Sequence, residues 1–277
     1  MAEPVRFPNI HCLLSGESGS GKSSLWATVI AYWAKHFGEP SLVFMFDPLD
    51  KATPYTDLGT AAPMDLDADA NKYYKELGIK VTDVLDKAGK LICRVEYYCD
   101  EEPEQPSALN KFERRMVGFG KSANNWASIA VDSMTFLQHM ALLRARIESG
   151  QTKLFQSGVD GRQAYARVTE DVSLLLFSRA AYWDTNVGVI CHVDEGKEDF
   201  GEMGQLKTAA LQGRMAKRAP AGFGEVYKLH VVRGKDGVKR QLQTVSDEKW
   251  MCNNLVTKAP NPCDPEYTAL WKNWKPS

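Results

Sequence analysis

Gly16-Glu17-Ser18-Gly19-Ser20-Gly21-Lys22-Ser23 fits the pattern G-x-x-x-x-G-K-[ST] without a mismatch. The residues on either side decide how that match is read. Ile10-His11-Cys12-Leu13-Leu14 precedes it, a short apolar run that predicts a buried strand. Ser24-Leu25-Trp26-Ala27-Thr28-Val29-Ile30-Ala31-Tyr32-Trp33 follows it and predicts a helix with no breaker before Gly38. A Gly/Ser-rich turn that merely joins a strand to a helix is the bland alternative, and the strand–loop–helix context favours a phosphate-binding loop. In such a loop the glycines let successive N–H groups curl toward one anion. Lys22 brings a point charge to the β- and γ-phosphates, and the Ser23 hydroxyl ligates Mg²⁺. The helix N-terminus adds donors and a favourable dipole. The expected binding set is Gly16, Glu17, Ser18, Gly19, Ser20, Gly21, Lys22, Ser23 and Ser24, with a nucleoside triphosphate and Mg²⁺ as ligands.

The size and composition suit that reading. With 277 residues, 44% of them hydrophobic and 25% charged, the chain has the make-up of an ordinary globular protein with a core of good size. Its net charge of −1 excludes a global basic field, so any nucleic-acid contact has to come from a local patch. Six cysteines, at positions 12, 93, 99, 191, 252 and 263, form no C-x-x-C pair, and neither a zinc site nor a disulfide framework is expected. The opening residues Met1-Ala2-Glu3-Pro4-Val5-Arg6 carry no apolar targeting segment, and no run approaches a membrane span. A cytoplasmic location without membrane contact is the expectation.

Further apolar or buried strands are predicted at Ser41–Asp47, at Trp126–Ser133 and at Val187–His192, and a strand with partial alternation at Leu91–Tyr98. Helices are predicted from Ser107, as cap, to about Val117, over Thr135–Ile147, and over 164–183. Residues 51–115 include an irregular, proline-punctuated stretch, taken as an insertion or lid within a core spanning 1–245. The acidic run Asp65, Asp67 and Asp69 in it reads as a solvated loop or helix start in preference to a metal site. Glu225–Val232 and Arg240–Val245 predict antiparallel strands joined by the turn Gly234-Lys235-Asp236-Gly237. The proline-rich tail 246–277 is expected to pack onto the body through Trp271 and Trp274. Alternating strands and helices make an α/β fold with a mainly parallel sheet flanked by helices and antiparallel strands toward the C-terminus. Ligands of such sheets gather at the carboxyl ends of the strands, where Ser15–Ser23, Asp47–Asp50, Asp132–Ser133 and His192–Asp194 converge.

Asp132 ends its apolar strand where a second phosphate-site acid belongs, holding Mg²⁺ opposite Ser23; the competing role is an N-cap for the next helix. Hydrolysis needs a group to orient or deprotonate water, and Asp47, Asp50 and, with less support, Glu195 are the candidates. Asp47 is equally placed to start a turn before Pro48. His192 ends a strand beside the γ-phosphate position and is either a sensor of that phosphate or a structural histidine. From Lys207 to Arg240 nine cations (Lys207, Arg214, Lys217, Arg218, Lys228, Arg233, Lys235, Lys239 and Arg240) stand against Glu225 and Asp236. This excess suits phosphate contacts along a nucleic-acid strand or a cationic finger that reaches a neighbour's triphosphate. Lys217 and Arg218 are the finger candidates. A solvated face is the alternative for each residue alone.

The loop Gly-Glu-Ser-Gly-Ser-Gly-Lys-Ser, the strand end Ala130-Val131-Asp132-Ser133 and the strand end Val189-Ile190-Cys191-His192 together resemble RecA-superfamily P-loop ATPases. Ala219-Pro220-Ala221-Gly222-Phe223-Gly224-Glu225-Val226-Tyr227 is similar to a stretch of a phage nucleotide-binding ATPase family, some of whose members are recombinases or single-strand annealing proteins. The resemblance covers roughly residues 8–245. It implies a RecA-like P-loop NTPase fold, ATP and Mg²⁺ as ligands, and self-association into a ring or filament with ATP shared between subunits. It further implies assembly on single-stranded DNA for annealing or strand exchange in phage recombination, with a single-strand binding protein as a further partner. The loops 149–163 and 194–219 would face DNA through Lys153, Arg162, Lys207 and Arg214, with Phe155 and Phe200 as stacking aromatics. The glutamate that the family places after the second strand has no evident counterpart in Phe46-Asp47-Pro48-Leu49-Asp50. A P-loop small-molecule kinase and a nucleotide-dependent assembly or packaging ATPase are the alternative readings.

Overall fold

The computed structural model describes residues 3–100, 105–148, 161–174, 180–193, 219–234, 237–247 and 250–275. The phosphate-loop segment folds as its pattern predicts: strand β1 (His11–Gly16), loop, helix α1 (Lys22–Phe37). Gly21 at the helix N-cap takes φ 101°, a left-handed conformation that glycine adopts without a Cβ penalty. Gly38 closes the helix in the same region, as C-terminal glycines commonly do.

The chain then lays down β2 (Ser41–Met45), α2 (Thr53–Thr56), β3 (Thr60–Pro63), α3 (Lys72–Leu77), β4 (Lys80–Leu85) and β5 (Leu91–Tyr97). After these come α4 (Ala108–Met116), α5 (Gly120–Ala123), β6 (Ser128–Asp132), α6 (Met134–Glu148), α7 (Gly161–Ser173) and β7 (Asn186–His192). The hairpin β8 (Glu225–Gly234) and β9 (Gly237–Gln243), the short strand β10 (Asn253–Asn254) and helix α8 (Tyr267–Leu270) complete it. One sheet runs in the order β10-β8-β1-β7-β6-β2-β5-β4-β3, with β9 also paired to β8. The inner pairs, from β8–β1 through β2–β5, are parallel. Both margins turn antiparallel, at β5–β4–β3 on one side and at β8–β9 and β8–β10 on the other.

Inner strands covered on both faces read as continuous apolar runs. Alternate residues of each feed different cores. Leu14, Val43, Met45 and Ile190 pack against Leu25, Trp26, Val29, Ile30 and Trp33 of α1. Leu13, Phe44, Val131 and Val189 pack on the other side with Leu109 and Phe112 of α4 and Leu137 and Met140 of α6. Gly188 of β7 faces the Trp26 ring so closely that a Cβ there would collide with it. The absent side chain therefore sets how near α1 lies to the sheet.

Several expected features differ in detail. Residues 51–115 hold β3, β4, α3 and α4, and β3 and β4 extend the sheet through antiparallel pairing that period and composition did not mark. Asp67 pairs with Lys75, and Asp69 with Lys72, on the exposed surface. Ser107 precedes α4, yet the cap is Asp100, whose Oδ1 accepts from the N–H groups of Ser107 and Ala108, each at 2.7 Å. Of the helix expected over 164–183, the described residues hold α7 (Gly161–Ser173) and a 3₁₀ turn at Ala180–Tyr182. Near the C-terminus Trp271 stacks on Phe7 at 4.7 Å between ring centroids, with Trp274 edge-on to both. Among the described residues no helix is long and apolar enough to cross a membrane.

Candidate nucleotide-binding site

Four strand ends meet at the carboxyl edge of the sheet, and side chains from each are in contact there. Within the loop, Lys22 is buried and its Nζ donates to the carbonyls of Gly16 (2.8 Å) and Glu17 (2.7 Å). Burial lowers its pKa, while Asp132 pulls the other way. The lysine lies folded into a loop whose outer residues, Glu17, Ser18 and Gly19, are exposed. The Ser20 hydroxyl is fully buried and has no hydrogen-bond partner, an orphaned polar atom inside the cradle.

Ser23, on the first turn of α1, donates to Asp132 Oδ2 at 2.7 Å. The same oxygen accepts from the Tyr55 hydroxyl at 2.8 Å. Asp132 is 2% exposed, and burial raises its pKa to about 6; the nearby Asp47 adds to the rise, and the Ser23 and Tyr55 hydrogen bonds oppose it. Burial and Asp132 push the Tyr55 phenol far up, so it acts as a donor. A serine hydroxyl touching a strand-end carboxylate beside a lysine loop is the donor set that P-loop proteins offer to Mg²⁺. These residues fit a magnesium–triphosphate complex: Ser23 and Asp132 would hold the metal, and the loop amides with Lys22 the phosphates. The metal would supply charge neutralisation on the phosphate oxygens.

Asp47 follows β2, is buried, and has both oxygens engaged. Oδ1 accepts from the Ser133 N–H (3.0 Å) and hydroxyl (2.6 Å), and Oδ2 lies 3.4 Å from His192 Nε2. His192 itself is pinned by its N–H to Thr135 Oγ1 at 3.0 Å and lies edge-on to Phe136. The Asp132–Ser133 peptide bond is cis. Asp50 stands apart, exposed on the 3₁₀ turn Leu49–Ala52, where its carbonyl accepts from Thr53 Oγ1. A groove of about 480 Å³ runs along α1 from Ser24 to His36, bordered by Pro54, Leu58 and Thr268, and no loop residue from Gly16 to Ser23 lines it.

The structure therefore brings together Lys22, Ser23, Asp132, Asp47 and His192, and it leaves Asp50 outside the group. Arg162 lies on the first turn of α7. Lys153, Glu195, Lys207, Arg214, Lys217 and Arg218, with Phe155 and Phe200, lie outside the described residues. Tyr55 is the site residue that the sequence did not reveal. It sits beside Pro54 in a stretch without periodicity, and nothing local marks its partner 77 positions away.

Fold and site define a RecA-like P-loop fold: β7 separates the loop strand β1 from β6, which carries the second acid, and β8 flanks β1 on the other side. Numbered along the chain, the six parallel strands lie across the sheet in the order sixth, first, fifth, fourth, second, third. A KaiC-like protein from the hyperthermophilic archaeon Pyrococcus horikoshii OT3 is similar in structure at 15% sequence identity and a TM-score of 0.43, over 86% of this chain and 79% of that one. The strand order and the loop, rather than this distant likeness, define the fold. No protein-family model and no curated protein matches the sequence.

Proposed function

We propose that this chain binds and hydrolyses ATP with Mg²⁺ at the Gly16–Ser23 loop and couples the nucleotide cycle to assembly on single-stranded DNA. The observation that carries the nucleotide part is the Ser23–Asp132 hydrogen bond at 2.7 Å. It joins the last residue of the loop motif to the strand-end acid across an intervening strand, as magnesium ligation requires. The buried Asp47, locked between Ser133 and His192, supports a role in tying the strand ends together, with His192 as the side chain that exchanges Asp47 for a γ-phosphate. The water-activating base then falls to Asp47 in the nucleotide-bound arrangement or to Glu195, which follows β7 in the sequence.

The DNA part draws on the cation excess over 207–240, of which Arg233, Lys239 and Arg240 are exposed on the β8–β9 hairpin. Annealing or strand exchange in phage recombination, in a ring or filament, is the finer form of this reading. Turnover of ATP with and without single-stranded DNA tests it. Strong stimulation by DNA is the expected result. Turnover only with a small phosphate acceptor would favour a kinase, and indifference to both would favour an assembly ATPase. The loop assignment is tested by Lys22→Ala, which should abolish ATP binding and leave the fold intact; near-normal affinity in that variant would refute it.

A further inference from the structure

The hairpin β8–β9 reaches past the end of the loop strand. β8 pairs with β1 as far as Gly16 against Leu229, and across the hairpin Leu229 faces Leu242 while Val231 faces Arg240. Strand alternation puts Arg240 on the same face of β9 as Leu242. Leu242 packs in the core layer of Leu14, Leu25 and Trp26, which is the α1 side of the sheet. Arg240 accordingly stands over the N-terminal end of α1.

The approach is close. A methyl group built on Gly21 would lie 2.9 Å from Arg240 Cδ and 3.3 Å from Nε. The arginine stem thus lies against Gly21, the N-cap of α1. Its Nε is therefore already at the N-cap, where the helix begins. Arg240 is exposed, and among the described residues no carboxylate pairs with it. Lys22 differs, because its donors are turned inward to loop carbonyls.

We propose that Arg240 is a cis-acting phosphate contact, reaching the triphosphate from β9 of the same subunit and tying the β8–β9 hairpin to nucleotide occupancy. A guanidinium is suited to this position. Its planar fork matches phosphate oxygens, and it keeps its charge at every working pH. The proposal rests on the nucleotide reading of the loop, and it adds a cation that lies outside the motif.

Calorimetric titration of MgATP and MgADP into the full chain, Arg240→Gln, Arg240→Lys and Lys22→Ala tests it. Arg240→Gln keeps part of the stem at an exposed position, and circular dichroism checks its fold; if it melts early, Arg240→Lys carries the comparison. The expected result is a loss of MgATP affinity of about tenfold to a hundredfold in Arg240→Gln, as for a hydrogen bond to a charged group, and a smaller loss in Arg240→Lys. Unchanged affinity in both Arg240 variants, with binding abolished in Lys22→Ala, overturns the Arg240 contact alone. Unchanged affinity in Lys22→Ala overturns the nucleotide reading itself. Mixing Arg240→Gln with excess Lys22→Ala separates cis from trans action. Recovery of turnover would show the arginine coming from a neighbour and overturn the cis placement; no recovery is expected.

Discussion

The Tyr55 hydroxyl and the Ser23 hydroxyl donate to one oxygen of Asp132, so a residue of α2 shares the carboxylate that the phosphate loop uses. Magnesium binding has to draw Ser23 toward the metal, and Tyr55 is then the donor that keeps Asp132 oriented. Tyr55→Phe keeps the buried ring and removes the hydroxyl. Stability of the nucleotide-free protein should fall by about 1–2 kcal/mol. Losing a donor to the carboxylate raises its pKa, so the pH midpoint for Mg²⁺-dependent ATP binding should move upward. An unmoved midpoint in a pH series of binding isotherms would show that Tyr55 does not tune Asp132.

Asp132 gives stability and ligand binding opposite pH dependences. Its folded-state pKa of about 6 lies above the ordinary 3.8 because burial disfavours the charge. Between those values the folded state holds more protons than the unfolded one, so the contribution is fully present below pH 3.8 and is lost as pH rises through about 6. The shift corresponds to about 3 kcal/mol. Asp132→Asn, which can still accept from Ser23 and Tyr55, should raise the melting temperature of the nucleotide-free protein at neutral pH and flatten its change across that window. Magnesium-dependent binding should weaken in the wild type as pH falls through about 6 and be lost in the variant. Thermal melts at several pH values, with and without MgATP, check both signs.

Gly188→Ala introduces a Cβ against the Trp26 ring, which is 1% exposed and has no space to withdraw. Overpacking at this level costs about 1–3 kcal/mol. Because Trp26 is on α1, the displaced helix should also carry the phosphate loop with it. Denaturant unfolding should show the loss, and ATP affinity should fall in parallel.

Glu96 is fully buried between Arg115, whose Nη2 donates at 2.9 Å, and the hydroxyls of Tyr74 (3.0 Å) and Tyr98 (2.6 Å). Removing Arg115 leaves that carboxylate without its counter-charge, so Arg115→Ala should cost about 3–5 kcal/mol in chemical denaturation. Breaking the exposed Lys75–Asp67 pair should produce no measurable change.

The central strands were legible because burial on both faces leaves them little but apolar residues, as in Leu42-Val43-Phe44-Met45 and Ile129-Ala130-Val131. The loop was legible because its chemistry needs fixed residue types at fixed spacing. β3 was not. Thr60-Ala61-Ala62-Pro63 is a mostly exposed margin strand of small residues, held by its pairing with β4. The Asp100 cap, the Glu96 cluster and the Tyr55–Asp132 bond depend on residues that only the fold brings together. Arg240 was visible as part of a basic stretch, but its place over Gly21 follows from the hairpin register.

The stacking of Phe7 on Trp271 brings the start and finish of the described chain side by side. Tyr32 of α1 and Tyr267 of α8 meet edge-on in the same cluster, so the segment before β1 and the segment after α8 share one aromatic clasp on α1. Loosening either flank should therefore bare the other, and hydrogen exchange in the two should quicken together.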